Sequence, residues 1–140
     1  MLDELHRLHE TVEITVAAQE QLLRSGSLPH ADEIARSRWR IMSASRKRRD
    51  HLDAVVYPAL IARLAGDAAS VVDAVRTRDI AQRHWAREHL SKWPLEYALA
   101  NFDAYLRAAE EVRFRIRAQL KIERDLLVPL CASLCEAERA

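Results

Sequence analysis

The sequence predicts an all-α fold, an up-down-up-down antiparallel four-helix bundle, and three observations carry that prediction. Two glycines and four prolines punctuate 140 residues, too few for a turn-rich β protein. Ala, Leu, Arg and Glu, which lose little on entering a helix, dominate the composition. Apolar residues recur at helical spacing along four segments, and four single stripes bury one another most simply as a bundle. Residues 1–140 fit one domain with one sizeable core.

The first helix spans Leu2 to Arg24, with Leu5, Leu8 or His9, Val12, Val16, Gln19 and Leu22 or Leu23 on one stripe. Ser25-Gly26-Ser27-Leu28-Pro29 stops it and restarts the chain. The second runs from His30 to about Leu64 through Ile34, Ile41, Ala44, Leu52, Val55, Val56, Ala59 and Leu60, and Gly66-Asp67 is expected to close it. A third opens near Ser70 and carries Val71, Val75, Ile80, Trp85 and His89. Pro94 either kinks that helix or starts a new one, and the turn into the last helix is placed around Asn101. The last stripe is Leu106, Val112, Ile116, Gln119, Leu120, Glu123, Leu127, Leu130 and Leu134.

The net charge is +1, so no global field would recruit nucleic acid or an anionic membrane. The basic run SASRKRRD over residues 43–50 lacks interleaved aromatics and is followed at once by Asp53, which favours a solvated helix face over a phosphate-binding patch. No apolar run approaches a membrane span and the N-terminus MLDELHRLHE is charged, so a soluble cytoplasmic protein is expected. Cys131 and Cys135 stand at helical rather than zinc or redox spacing. They are expected as small buried residues, with oxidation sensing the alternative if they prove exposed. Trp39, Trp85 and Trp93 become interface anchors if exposed. No Gly-rich phosphate loop, nucleophile elbow or spaced Ser, His and Asp set is present, and a non-enzymatic role is expected.

A repeat runs through the chain. HLDAVVYPALIARL near Pro58 and IERDLLVPLCASLC near Pro129 align apolar on apolar when the prolines are superposed. Earlier in each half stands a histidine in a similar setting, His9 in LHE and His89 in EHL. The halves then form two helical hairpins related by a pseudo-two-fold axis.

These features resemble the hemerythrin-like, or HHE cation-binding, family, and the resemblance covers nearly the whole chain. It implies four helices in two hairpins around a non-haem di-iron centre. Each half of that family carries a histidine on its first helix and HxxxE on its second, followed by an aliphatic, aromatic, proline and leucine ending. Carried onto this chain, the first-helix histidines fall on His9 and His89, with His6 and His84 less well placed. The last helix gives QxxxE, with Gln119 in the histidine position and Glu123 in the carboxylate position. On the second helix the same positions hold Arg48 and Leu52, neither of which can ligate iron. His51 and Asp53 are one residue off, about 100° around the helix.

Two expectations compete at this site. Arg48, Gln119 and Glu123 form a polar core network in place of the metal, because a buried carboxylate and guanidinium must pair; alternatively Arg48 snorkels out beside Arg46, Lys47 and Arg49. The corresponding function is a regulatory or interaction module with no cofactor, a possible protein partner, no nucleic acid or membrane, and a monomeric or homodimeric state. The alternative is a cation-binding protein with iron held by His9, His89 and Glu123, sensing or storing oxygen, nitric oxide or iron. A third is a helical phosphotransfer or partner-binding scaffold using His51.

Overall fold

Both glycines stand at chain reversals, and both adopt positive φ, Gly26 at 82° and Gly66 at 62°, a conformation that costs glycine nothing. In the computed structural model, which describes residues 1–139, the described chain is all-helical. The elements are α1 (Leu2–Leu23), α2 (Ala31–His51), a π-helical segment (Leu52–Val56), α3 (Tyr57–Arg63), α4 (Gly66–Lys92), α5 (Leu95–Ala100), α6 (Phe102–Ile122), a second π-helical segment (Glu123–Leu127) and α7 (Val128–Arg139). Among the described residues no helix is long and apolar enough to cross a membrane.

Helix α2 begins with a capping box, in which the side chain of Glu33 accepts from the backbone N–H of His30 at 3.1 Å. Two boundaries depart from the sequence expectation, both at Gly66, and the choice left open at Pro94 is resolved. Gly66 opens α4 instead of closing the helix before it, because the break falls at Leu64 and Ala65, both in extended conformation. The third helix therefore starts at Gly66 and not near Ser70. Of the two alternatives at Pro94, the structure has the new helix: α4 ends at Lys92, and Pro94 caps the short α5, which turns into α6 at Asn101 as expected.

The two π segments explain how prolines sit inside long helical runs. Proline has no N–H to donate, and its ring meets the carbonyl four residues back in a regular α-helix. Here the residue before each proline reaches back five residues: Tyr57 N–H bonds Leu52 O, and Val128 N–H bonds Glu123 O. The wider turn accommodates the ring and keeps each helix continuous. Both π segments open six residues before their proline, at Leu52 and at Glu123, so the repeat seen in sequence is also a repeat of backbone geometry.

Packing falls into three apolar clusters. One holds Leu5, Leu52, Val56, Tyr57, Leu60, Val75, Leu127 and Cys131. A middle one holds Val12, Val16, Ile41, Ala44 and Leu120. A third holds Leu23, Ile34, Ala98, Tyr105 and Ala109. Helix α1 meets them in that order, whereas α2 with its π segment, and α6 with its own, meet them in reverse. Polar residues occupy the gaps: His9, Arg48 and Glu123 fall between the first and second clusters, Gln119 lies beside Leu120 of the second, and Gln19 and Arg113 fall between the second and third.

The stripe expected for α1 is the buried face, with Leu5, Leu8, His9, Val12, Val16, Gln19 and Leu23 inside. The stripe expected for the third helix is out of phase. Val72, Val75 and Asp79 face inward, while Ile80 is 43% exposed. Val55 is likewise 42% exposed, since the π segment turns it outward and leaves Leu52 and Val56 inside.

Candidate functional site: a buried ionic network

Glu123 opens the second π segment, is fully buried, and has both carboxylate oxygens engaged. Oε1 lies 2.9 Å from His9 Nε2 on α1. Oε2 accepts from Arg48 Nη1 on α2 and, at 2.9 Å, from Gln119 Nε2 one turn earlier on the same helix. The four-residue spacing places Gln119 directly above Glu123.

The network continues outward through two residues that the sequence reading did not single out. Arg48 Nη2 lies 3.3 Å from Asp79 Oδ1 on α4. Arg83, one turn later, donates to Asp79 Oδ2 at 2.8 Å and holds exposed Asp53 in a bidentate pair at 2.9 and 3.0 Å. Opposite charges thus alternate from the surface inward, Asp53, Arg83, Asp79, Arg48, Glu123, ending on His9. The missed signal was phase: Asp79 and Arg83 continue the face begun by Val72 and Val75, and an apolar-only stripe skips them.

The electrostatics follow from this alternation. Burial drives the Glu123 carboxyl toward its neutral form, yet the charge of Arg48 and the hydrogen bonds from His9, Arg48 and Gln119 outweigh it and hold its pKa below the ordinary carboxylate value. Burial likewise opposes the charge on Arg48, and Glu123 and Asp79 overcome that too. A buried guanidinium pairing with two buried carboxylates satisfies the condition under which internal charges persist. Because ionised Glu123 only accepts, the proton on His9 belongs on Nε2. His9 Nδ1, Arg48 Nε, Gln119 Oε1 and the Tyr57 hydroxyl are buried with no hydrogen-bond partner.

The structure therefore brings together His9, Arg48, Gln119 and Glu123, with Arg48 directed inward. It does not bring His89 to them. His89 is half-buried on α4, stacked on Trp85 with ring centroids 5.5 Å apart, and its pKa is lowered by burial and by nearby Arg38 and Lys92. His6 and His84 are exposed. Leu52 lies in the first apolar cluster. His51 Nε2 lies 2.9 Å from the carbonyl of Met1, which ties it to the N-terminus.

Among the described residues no three His, Cys, Asp or Glu side chains converge as a cation cage. One imidazole and one carboxylate, faced by a guanidinium and an amide, do not fit a dinuclear iron centre, which draws on several carboxylates and histidines. Cys131 is buried and Cys135 half-buried, both as free thiols, and burial pushes the Cys131 pKa up to about 11. Of the tryptophans, Trp39 is 66% exposed, while Trp85 and Trp93 are half-buried. No family model, curated protein or solved structure matches the chain.

Proposed function

We propose that the chain is a hemerythrin-like bundle of four antiparallel helices in up-down-up-down order, in which the fixed charge of Arg48 does the structural work that a bound cation does in that family. On this reading it serves as a regulatory or interaction module of the cytoplasm, without catalysis and without resident iron, acting as a monomer or homodimer on a protein partner. The observation that carries the reading is the convergence of His9, Arg48 and Gln119 on fully buried Glu123. All four stand where the family's motifs would put ligands. Support for the topology comes from the two π segments opening at equivalent positions before Pro58 and Pro129, and from the opposed order in which α1 and α2 meet the apolar clusters.

A core of paired charges of this kind stabilises one arrangement of helices without needing a ligand. Elemental analysis and visible absorption of protein purified without chelator test the proposal. It expects substoichiometric iron and no band. Stoichiometric iron with an absorption band overturns it.

A further inference from the structure

A half-open cleft of about 690 Å³ runs between α2, α4 and α6 beside the buried network. It exists because α4 stops contributing to the core after Asp79: no residue of α4 beyond Asp79 is buried. Small and polar side chains such as Gln82, Arg83 and Ala86 line that wall instead.

The cleft has two chemically different kinds of lining. One is apolar, contributed by Met42 of α2, Leu90 of α4, and Val112 and Ile116 of α6. The other is cationic: six arginines line the cleft against two aspartates, Asp50 and Asp79, and Asp79 is already held by Arg48 and Arg83. Of the six, Arg46, Arg49 and Arg87 have no ion-pair or hydrogen-bond partner among the described residues, and of these three Arg49 alone is half-buried, the other two being exposed. Burial, Arg48 and Arg83 press its pKa down and outweigh the opposing charges of Asp79 and Asp50. One further donor on the cleft wall is also unmatched: Arg48 is more than nine-tenths buried, and its Nε has no partner.

We propose that this cleft binds a small amphipathic anion, a carboxylate or phosphate head on an apolar body, with Arg49 as the counter-ion of the head and the side chains of Met42, Leu90, Val112 and Ile116 receiving the body. The volume lies within the range of small-molecule sites, about 300–1,000 Å³. A guanidinium suits either head group, since its planar fork matches carboxylate and phosphate oxygens. The surplus of arginine disfavours a cationic ligand by the same Coulombic argument. This inference does not depend on the origin of the bundle or on its metal content, because Arg49 makes no contact with Glu123.

Titration calorimetry with octanoate, octyl phosphate, octylammonium and inorganic phosphate tests it, with the fluorescence of Trp39, which also lines the cleft, as a second readout. One saturable site for octanoate, octyl phosphate or both is expected, and which of them binds identifies the head group. Octylammonium should not bind, and inorganic phosphate, lacking the apolar body, should bind at least about tenfold more weakly. Arg49→Gln should weaken anion binding by about tenfold or more while the urea midpoint stays unchanged. Met42→Asp, at an exposed position in the apolar lining, should weaken it as well. Failure of both amphipathic anions to saturate by about 10 mM, equal binding of octylammonium, or full affinity in Arg49→Gln overturns the assignment.

Discussion

Arg48 and Glu123, 75 residues apart in sequence, form a buried ion pair in which the guanidinium also reaches Asp79. A guanidinium with two carboxylate partners is neutralised from both sides. Removing either carboxylate leaves Arg48 with a single buried partner.

Glu123→Ala should therefore be destabilising by about 3 kcal/mol or more, because His9 and Gln119 lose their buried acceptor and Arg48 keeps only the 3.3 Å contact to Asp79, which Arg83 shares. Asp79→Asn should cost less, because Arg48 keeps its partner Glu123 and the hydrogen bonds of His9 and Gln119 are untouched. Urea unfolding followed by circular dichroism gives both values, and a Glu123→Ala midpoint equal to wild type contradicts the network.

The pH dependence has a definite sign. The folded pKa of Glu123 is depressed, so its contribution is present above the unfolded value of about 4.3 and lost as pH falls through the lower folded value. Wild-type stability should hold from about pH 7 to pH 5 and decline below about pH 4. In Arg48→Met the pairing is gone and burial dominates, raising the folded pKa above about 4.3. Stability from that group is then present at low pH and lost as pH rises through the raised value. The variant should be weaker at pH 7 than at pH 5, and denaturant midpoints at the two values read the sign.

The π segments make a prediction about length. Each amounts to one extra residue in an otherwise α-helical run. Deleting exposed Ala54 inside the first segment should keep the flanking stripes in phase and give a folded protein with a lowered melting temperature, because the ring of Pro58 then meets the carbonyl four residues back. Deleting exposed Arg46 from α2 should rotate everything beyond it by about 100° and abolish cooperative unfolding. Thermal melts of the two deletions separate these outcomes.

The fold was more legible than the site's edges, for physical reasons that differ by helix. In α1 the inward face follows a period of 3.6 from Leu5 to Leu23, with His9 and Gln19 its only polar members, and the stripe could be read directly. In α4 the inward face passes from Val75 to Asp79. A search for apolar residues slips there to Ile80, which faces out. His89 was placed by its sequence neighbours, but it follows Asp79 by ten residues on a helix that has left the core, so it stacks on Trp85 rather than meeting His9. Pairing Arg48 with Glu123 was legible because the two prolines fix the register of both helices. The π geometry that makes those prolines tolerable leaves no local signature in the sequence beyond the prolines themselves.

Cysteine reactivity should follow burial. Cys131 is fully buried with a raised pKa, and the thiolate is the reactive form. At pH 8 a colorimetric thiol reagent should modify Cys135 first and reach Cys131 only on unfolding. Rapid labelling of both in the native protein contradicts that packing.

The most direct measurement is a double-mutant cycle on Arg48 and Glu123, with Arg48→Met, Glu123→Leu and the pair together, in urea at pH 7. The account predicts strong coupling, with the double variant recovering at least about 1.5 kcal/mol relative to the sum of the single changes. Additivity within about 0.5 kcal/mol would mean that the two charges do not depend on each other, and would contradict it.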